Sequence, residues 1–198
     1  MTRDVLGRSF YMLEPLAVAR NLIGKRLVSY AHGIRVAGMI YETEAYDGEQ
    51  DLACHARTGK TSRNAIMYEE GGHAYVYFTY GMHHLFNVVT EDINYPSAVL
   101  IRAVEPISGL SIIKENRNGR TYHELTSGPA KFTKAFAIDK NFNGLDLTQG
   151  KVMWIEDGEN IAQKDIAVTS RIGVTFAQEC RDWKRRFYIK KNKFVSRY

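Results

Sequence analysis

The chain has 198 residues, is 44% hydrophobic, contains two cysteines and carries a formal net charge of +5. That length fits one domain with a substantial core, and two cysteines are too few for a disulfide framework and suit a reducing compartment. No apolar run is long enough to span a bilayer, the first residues lack the apolar core of a signal peptide, and the basic balance is compatible with a polyanionic partner without establishing one.

Glu14 to Gly24 predicts a helix: Pro15 suits its first turn, Gly24 its C-terminal cap, and Leu16, Ala19 and Ile23 share a face. Arg26 to Tyr30 predicts a short strand. Gly33 then turns the chain into a second strand, Ile34 to Tyr41, rich in β-branched and aromatic residues. Glu42 and Glu44 follow, and alternation places both on one face of an extended chain. A carboxylate at a strand end beside an aromatic ring, here Tyr46, is a candidate general base. Taken alone, the stretch reads more simply as an edge strand with two solvated glutamates.

Asp47 to Glu70 is polar with little periodicity, which predicts a functional or a disordered loop. Its basic residues Arg57, Lys60 and Arg63 are interleaved with Thr and Ser, as in a phosphate-contacting loop, and equally as in a merely solvated one. A hairpin follows. Tyr75, Tyr77 and Thr79 point one way, Val76, Phe78 and Tyr80 the other, Gly81 marks the turn, and Leu85 to Thr90 returns. A tyrosine at such a tip is either a wedge for stacked bases or a partly covered side chain.

Ala98 to Glu105 is a nearly continuous apolar strand ended by Pro106 and interrupted by Arg102. A buried arginine there needs a carboxylate or ordered water as partner. Ser108 to Glu115 predicts a helix and Asn116 to Thr121 a basic loop. Thr126-Ser127-Gly128-Pro129 caps a further helix through Lys131 and Lys134 to about Ala137, whose N–H groups and lysines can seat a phosphate. Val152 to Ile155, Ile166 to Val168 and Phe187 to Ile189 predict strands, and Arg181 to Arg186 is a basic segment suited to backbone contacts. No repeat or linker divides the chain, so one domain is expected over 1–198.

Cys54-His55 has no second pair at zinc spacing, and the adjacent His83-His84 face opposite ways on a strand, so no metal is expected. The zinc-deaminase signature, the phosphate-binding glycine loops and Gly-x-Ser-x-Gly are all absent.

What remains is Glu44, a tyrosine-rich segment, a buried arginine and basic loops. The order and spacing of Glu42-Thr43-Glu44-Ala45-Tyr46, Ala53 with His55, Arg63-Asn64, Tyr75-Val76-Tyr77, Tyr80-Gly81-Met82 and Asn87 resemble the alkyladenine (3-methyladenine) DNA glycosylase family. Leu100-Ile101-Arg102-Ala103, Glu105-Pro106, Ser127-Gly128-Pro129, Arg171-Ile172-Gly173-Val174 and Arg186-Phe187-Tyr188 extend the resemblance nearly to the C-terminus. It implies a single-domain α+β fold: a curved, mostly antiparallel sheet, surrounding helices and a β-hairpin that inserts into DNA.

The resemblance also implies roles. Glu44 matches the general base that activates water, and Arg102, with the backbone near Ile172, the groups that hold that water. Tyr46, His55 and Tyr77 match the walls around a flipped base, in a pocket that also takes in Ala53. Asn87 matches the residue that crowds the exocyclic amine of normal guanine. Tyr80, with Met82, matches the intercalating tip. Arg57, Lys60, Arg63 and Lys131 are candidate phosphate contacts, with Lys134 and Arg186 beside them. Only Glu44 is placed next to Tyr46, so Glu42 is expected to tolerate replacement.

The implied reaction is hydrolysis of the N-glycosidic bond of alkylated or deaminated purines in double-stranded DNA, by a monomer with neither metal nor organic cofactor. Such an enzyme is expected in the cytoplasm of a prokaryote or the nucleus of a eukaryote, and not at a membrane. Two rivals are a non-catalytic nucleic-acid-binding module and a hydrolase of free nucleosides. A binding module has no need of a carboxylate facing DNA, and a small substrate needs no wedge.

Overall fold

Two short helices, α1 (Arg8–Tyr11) and α2 (Pro15–Asn21), lead into the antiparallel pair β1 (Arg26–Ala31) and β2 (Ile34–Asp47). The computed structural model describes residues 4–196. Pro15 opens α2 as predicted, whereas the single turn of α1 is too short to leave a periodic signal. His32 and Gly33, both at positive φ (50° and 79°), form the tight turn between β1 and β2. The hairpin β3 (Ala74–Thr79) and β4 (His83–Val89) comes next, then the long strand β5 (Ser97–Ser108). Helices α3 (Leu110–Arg117) and α4 (Pro129–Ala135) precede the short strands β6 (Met153–Glu156), β7 (Ile166–Thr169) and β8 (Arg186–Ile189).

The strands form one curled antiparallel half-barrel sheet in the order β3-β4-β5-β2-β1-β6, with β8 also on β2 and β7 on β8. The fold is therefore the expected single-domain α+β arrangement. Strand β2 is its hub. Its first half pairs with β1, residues Glu42 to Glu44 pair with β8, and β5 follows nearly its whole length.

Strand β2 runs six residues beyond the predicted end at Tyr41. Its carboxylates read as polar because they are charged, yet both are completely buried and paired with arginines. Strand β5 also continues past Pro106, which sits opposite Gly38 beside a register irregularity that spares the missing N–H.

Alternation along β2 divides its side chains. Thr43 and Ala45 face the main core, where the Thr43 hydroxyl donates to Ala19 O of α2 (2.7 Å). Glu42, Glu44 and Tyr46 face the other way. That core also takes in Ile40, Phe86, Ile101, Val104, Phe132 and Phe136. The polar stretch after β2 is ordered rather than loose. Cys54, Ala56, Met67 and Tyr68 pack with Tyr75 and Ala98 into a second small core, and the buried Asn64 amide donates to His55 O and Gly59 O (3.0 Å each).

Candidate active site

Strands β2 and β5 pair irregularly at one point. Ile40 lies opposite Val104, Glu42 opposite Ala103 and Thr43 opposite Ile101, so Tyr41 on one strand and Arg102 on the other fall outside the regular register. Such bulges re-aim side chains. Here the bulge sends the Arg102 guanidinium across to the Glu42 and Glu44 face of β2. Arg102 Nε donates to Glu42 Oε1 (2.9 Å) and Nη1 to Glu44 Oε2 (3.1 Å). Burial alone would depress this guanidinium, but Glu44 and Glu42 beside it outweigh burial and raise its pKa above the ordinary value.

Glu44 has two further donors. The Tyr46 hydroxyl donates to Oε2 (2.9 Å) and the Ile172 N–H to Oε1 (2.7 Å). A carboxylate has about four acceptor directions, and these bonds fill all but one. Burial first, then the Glu44 carboxylate, pushes the Tyr46 phenol well above its usual range, so it stays protonated and donating.

A cavity of about 360 Å³ opens over this cluster. The predicted pocket residues Tyr46, Ala53, His55, Tyr77, Asn87 and Ile172 all line it, together with Arg102 and Tyr80. Glu44 itself does not. It lies completely buried behind the wall, and each of its partners belongs to the wall. His55 stands edge-on to Tyr77 (ring centroids 4.5 Å apart) and its Nδ1 pairs with the Tyr75 hydroxyl (2.8 Å). Burial, with Arg63 and Arg57 adding to it, lowers the His55 pKa to about 4, so the ring is neutral near pH 7. Burial and then Glu44 push the Tyr77 phenol up to about 12. The Asn87 amide is pinned by donation to Tyr75 O (3.1 Å).

The hairpin tip stands free of this packing. The chain reverses through Tyr80 and Gly81, both at positive φ (51° and 65°), and Met82 N–H donates back to Thr79 O (3.2 Å). Glycine takes such a conformation readily; a tyrosine does not. Tyr80 is 85% exposed and Met82 68% exposed.

Arg57, Lys60, Arg63 and Lys131 are exposed, and none is ion-paired among the described residues. Arg57 lies over the ring of the wall residue Phe176 and Arg63 over that of Tyr77, so these cations flank the cavity. Lys60 lies over Tyr68.

Two expectations need correction. Arg186 is no surface cation: it is buried, and its Nε donates to Glu42 Oε1 (2.7 Å). Its neighbour Arg185 is paired with Asp47, which leaves Lys184 and Arg181 as the exposed cations of that segment, Arg181 with Asp182 beside it. Nor is Glu42 a solvated surface group: it lies fully buried between Arg102 and Arg186.

Sequence reasoning also gave no role to the pair Arg171 and Asp51. Arg171 reaches both Asp51 oxygens, donates to Ala45 O (2.9 Å) and Cys180 O (3.2 Å), and lies over the Tyr46 ring (4.8 Å). It thereby fixes the loop whose next residue supplies the Ile172 N–H. No local pattern marks a pair 120 residues apart.

Comparison with known proteins gives the family. The sequence model of the methylpurine-DNA glycosylase (MPG) family matches residues 9–193. A protein of Carboxydothermus hydrogenoformans is 51% identical over 98% of this chain and 99% of its own length. One of Methanocella arvoryzae is 48% identical over 98% and 96%. One of Desulfitobacterium hafniense is 42% identical over 96% and 98%. All three are named "Putative 3-methyladenine DNA glycosylase". The chain belongs to the methylpurine-DNA glycosylase family.

Proposed function

We propose that the protein is a monofunctional DNA glycosylase that draws a damaged purine out of duplex DNA into the 360 Å³ cavity and hydrolyses its N-glycosidic bond. The observation that carries this reading is the setting of Glu44: a fully buried carboxylate whose every donor is a cavity-wall residue.

The bond to be cut is inaccessible inside the base stack, so the nucleotide must leave it, at an unstacking cost of a few kcal/mol. Tyr80 offsets part of that cost by entering the vacated space, with Met82 beside it. A solvent-exposed aromatic held at positive φ supports that role, since strain of this kind clusters where function needs it.

Within the pocket, Tyr46 and Tyr77 offer neutral, electron-rich rings to an alkylated purine, which carries positive charge. The neutral His55 adds no competing cation. Asn87 narrows the space where the exocyclic amine of normal guanine would lie.

As the bond to C1′ breaks, the sugar becomes oxocarbenium-like. Through the one acceptor direction that its three donors leave open, Glu44 orients the attacking water at the cavity wall, takes its proton and places negative charge near that cation. The departing base takes both bonding electrons, and a neutral leaving base such as hypoxanthine must be protonated. Arg102 and Ile172 N–H hold the carboxylate and its water in place. Arg57, Lys60, Arg63 and Lys131 seat the flanking phosphates. This reading takes the enzyme to act as a monomer on double-stranded DNA, without a metal or organic cofactor.

The test is incubation with duplexes that each carry one defined lesion, 3-methyladenine, 7-methylguanine, hypoxanthine or ethenoadenine, followed by alkaline cleavage. Strand breaks at one or more of these positions are expected. Tight duplex binding with no cleavage at any lesion would overturn the proposal.

A further inference from the structure

We infer that Glu42 is a positioning residue for excision: it fixes Arg102 against Glu44 from the side away from the cavity, with Ser196 as its clamp. The inference rests on the reading of Glu44 as general base.

Each outer nitrogen of Arg102 has its own acceptor. Nε donates to Glu42 Oε1 (2.9 Å), Nη1 to Glu44 Oε2 (3.1 Å) and Nη2 to Ser196 Oγ (3.3 Å). A guanidinium is a rigid planar fork. Once Nε and Nη2 are anchored, the direction of Nη1 is set, and so is the donor that reaches Glu44. The bulge takes Arg102 out of the regular β2–β5 register, and these three hydrogen bonds are what aim its side chain.

Glu42 is built into this position as an anion. It accepts from Arg102 Nε, from Arg186 Nε (2.7 Å), from Ser196 N–H (2.6 Å) and from the Ser196 hydroxyl (2.8 Å). Three of these donors converge on Oε1 and one, the Ser196 N–H, reaches Oε2. An amide in its place would turn an NH₂ group toward donors. Stability alone does not call for such a cluster, because buried ion pairs are often replaced by apolar residues without loss.

Charge gives Glu42 a second effect. Glu42 and Glu44 formally balance Arg102 and Arg186. Without Glu42, Arg186 would lose this carboxylate, and Glu44 would be the one carboxylate left on Arg102 beside a sugar that is becoming positive. Glu42 does not line the cavity, so both effects run through its neighbours.

The test compares wild type with Glu42→Gln, Glu42→Asp and Ser196→Ala in three measurements: single-turnover excision from a hypoxanthine duplex, affinity for that duplex, and the side-chain nitrogen NMR signals of Arg102. In wild type the Nη signals of Arg102 should be resolved and protected from exchange. Glu42→Gln should lose them and excise on the order of 10²-fold more slowly, the effect of a small misplacement in a reacting site. Its DNA affinity should hold or rise, since a negative charge has gone; general damage to the fold would lower both together. Glu42→Asp should recover part of the rate, and Ser196→Ala should lose less than Glu42→Gln.

A folded Glu42→Gln that excises at the wild-type rate, or keeps the wild-type Arg102 signals, overturns the inference. If Glu42→Gln does not fold, Ser196→Ala decides by the same readouts, and no change in either overturns it. If wild type excises no lesion, the general-base reading falls, while the Arg102 signals alone still decide whether Glu42 positions this arginine.

Discussion

Arg171 and Asp51 form a buried two-pronged ion pair, and that pair joins the two loops that flank Glu44. Asp51 belongs to the stretch after β2, and Arg171 immediately precedes the residue whose N–H reaches Glu44. Breaking such a pair leaves an uncompensated buried charge. Asp51→Ala should therefore cost about 3–5 kcal/mol of stability and slow excision as the loop around Ile172 loosens. Denaturant melts and single-turnover rates on one preparation would check both; a change below about 1 kcal/mol would mean that the pair behaves as an exposed one.

Tyr80→Ser should weaken binding to a lesion duplex by roughly 1–3 kcal/mol, the worth of stacking on one base. The fold should be untouched, because Tyr80 is 85% exposed and packs into no core. Relief of the positive φ is small beside that loss. Equal affinity of the variant and wild type would remove the wedge role.

Much of the fold was legible because it is local. Pro15 and Gly24 framed α2, Gly33 and Gly81 marked hairpin turns, and alternation in β3 sorted Tyr75 and Tyr77 from Phe78. The cavity wall came from motif order, and its predicted members do converge. What local pattern could not carry was pairing across the chain. Glu42 looked like a solvated twin of Glu44 because its partners, Arg186 and Ser196, lie 144 and 154 residues away. The stretch after β2 looked loose because its apolar residues, among them Cys54, Ala56 and Met67, are too unevenly spaced to show a period, yet they close a small core.

His55 makes stability depend on pH. Its pKa falls from 6.5 in the unfolded chain to about 4 in the fold, so between those values the unfolded state binds the extra proton. The stabilisation is fully present above pH 6.5, falls as pH drops through the window, and levels off below about 4. His55→Asn should flatten the stability curve across that window. A curve with the wild-type slope would place the titration elsewhere.

Binding to undamaged duplex should weaken steeply with salt, each real phosphate contact contributing about 0.9 to the log–log slope. Arg57, Lys60, Arg63, Lys131 and Lys134 are the exposed cations expected to contribute. Arg186 is not, since its charge is spent on Glu42. Replacing Arg63 with Gln should lower the slope by about one contact; an unchanged slope would remove it from the set.

Glu44→Gln removes the proposed general base while leaving its place in the fold filled. The variant keeps the size and one acceptor oxygen, but its NH₂ will oppose either the Ile172 N–H or the Arg102 fork, at a cost of about 1–3 kcal/mol in stability. It cannot take a proton from water. General-base help is typically worth about 10²–10⁴-fold, and lost charge stabilisation adds to that. Single-turnover excision of hypoxanthine from a duplex, with affinity measured on the same DNA, is the decisive measurement. Near-normal binding and a rate lower by at least about 10²-fold are expected; excision by folded Glu44→Gln at close to the wild-type rate would contradict the general-base role of Glu44.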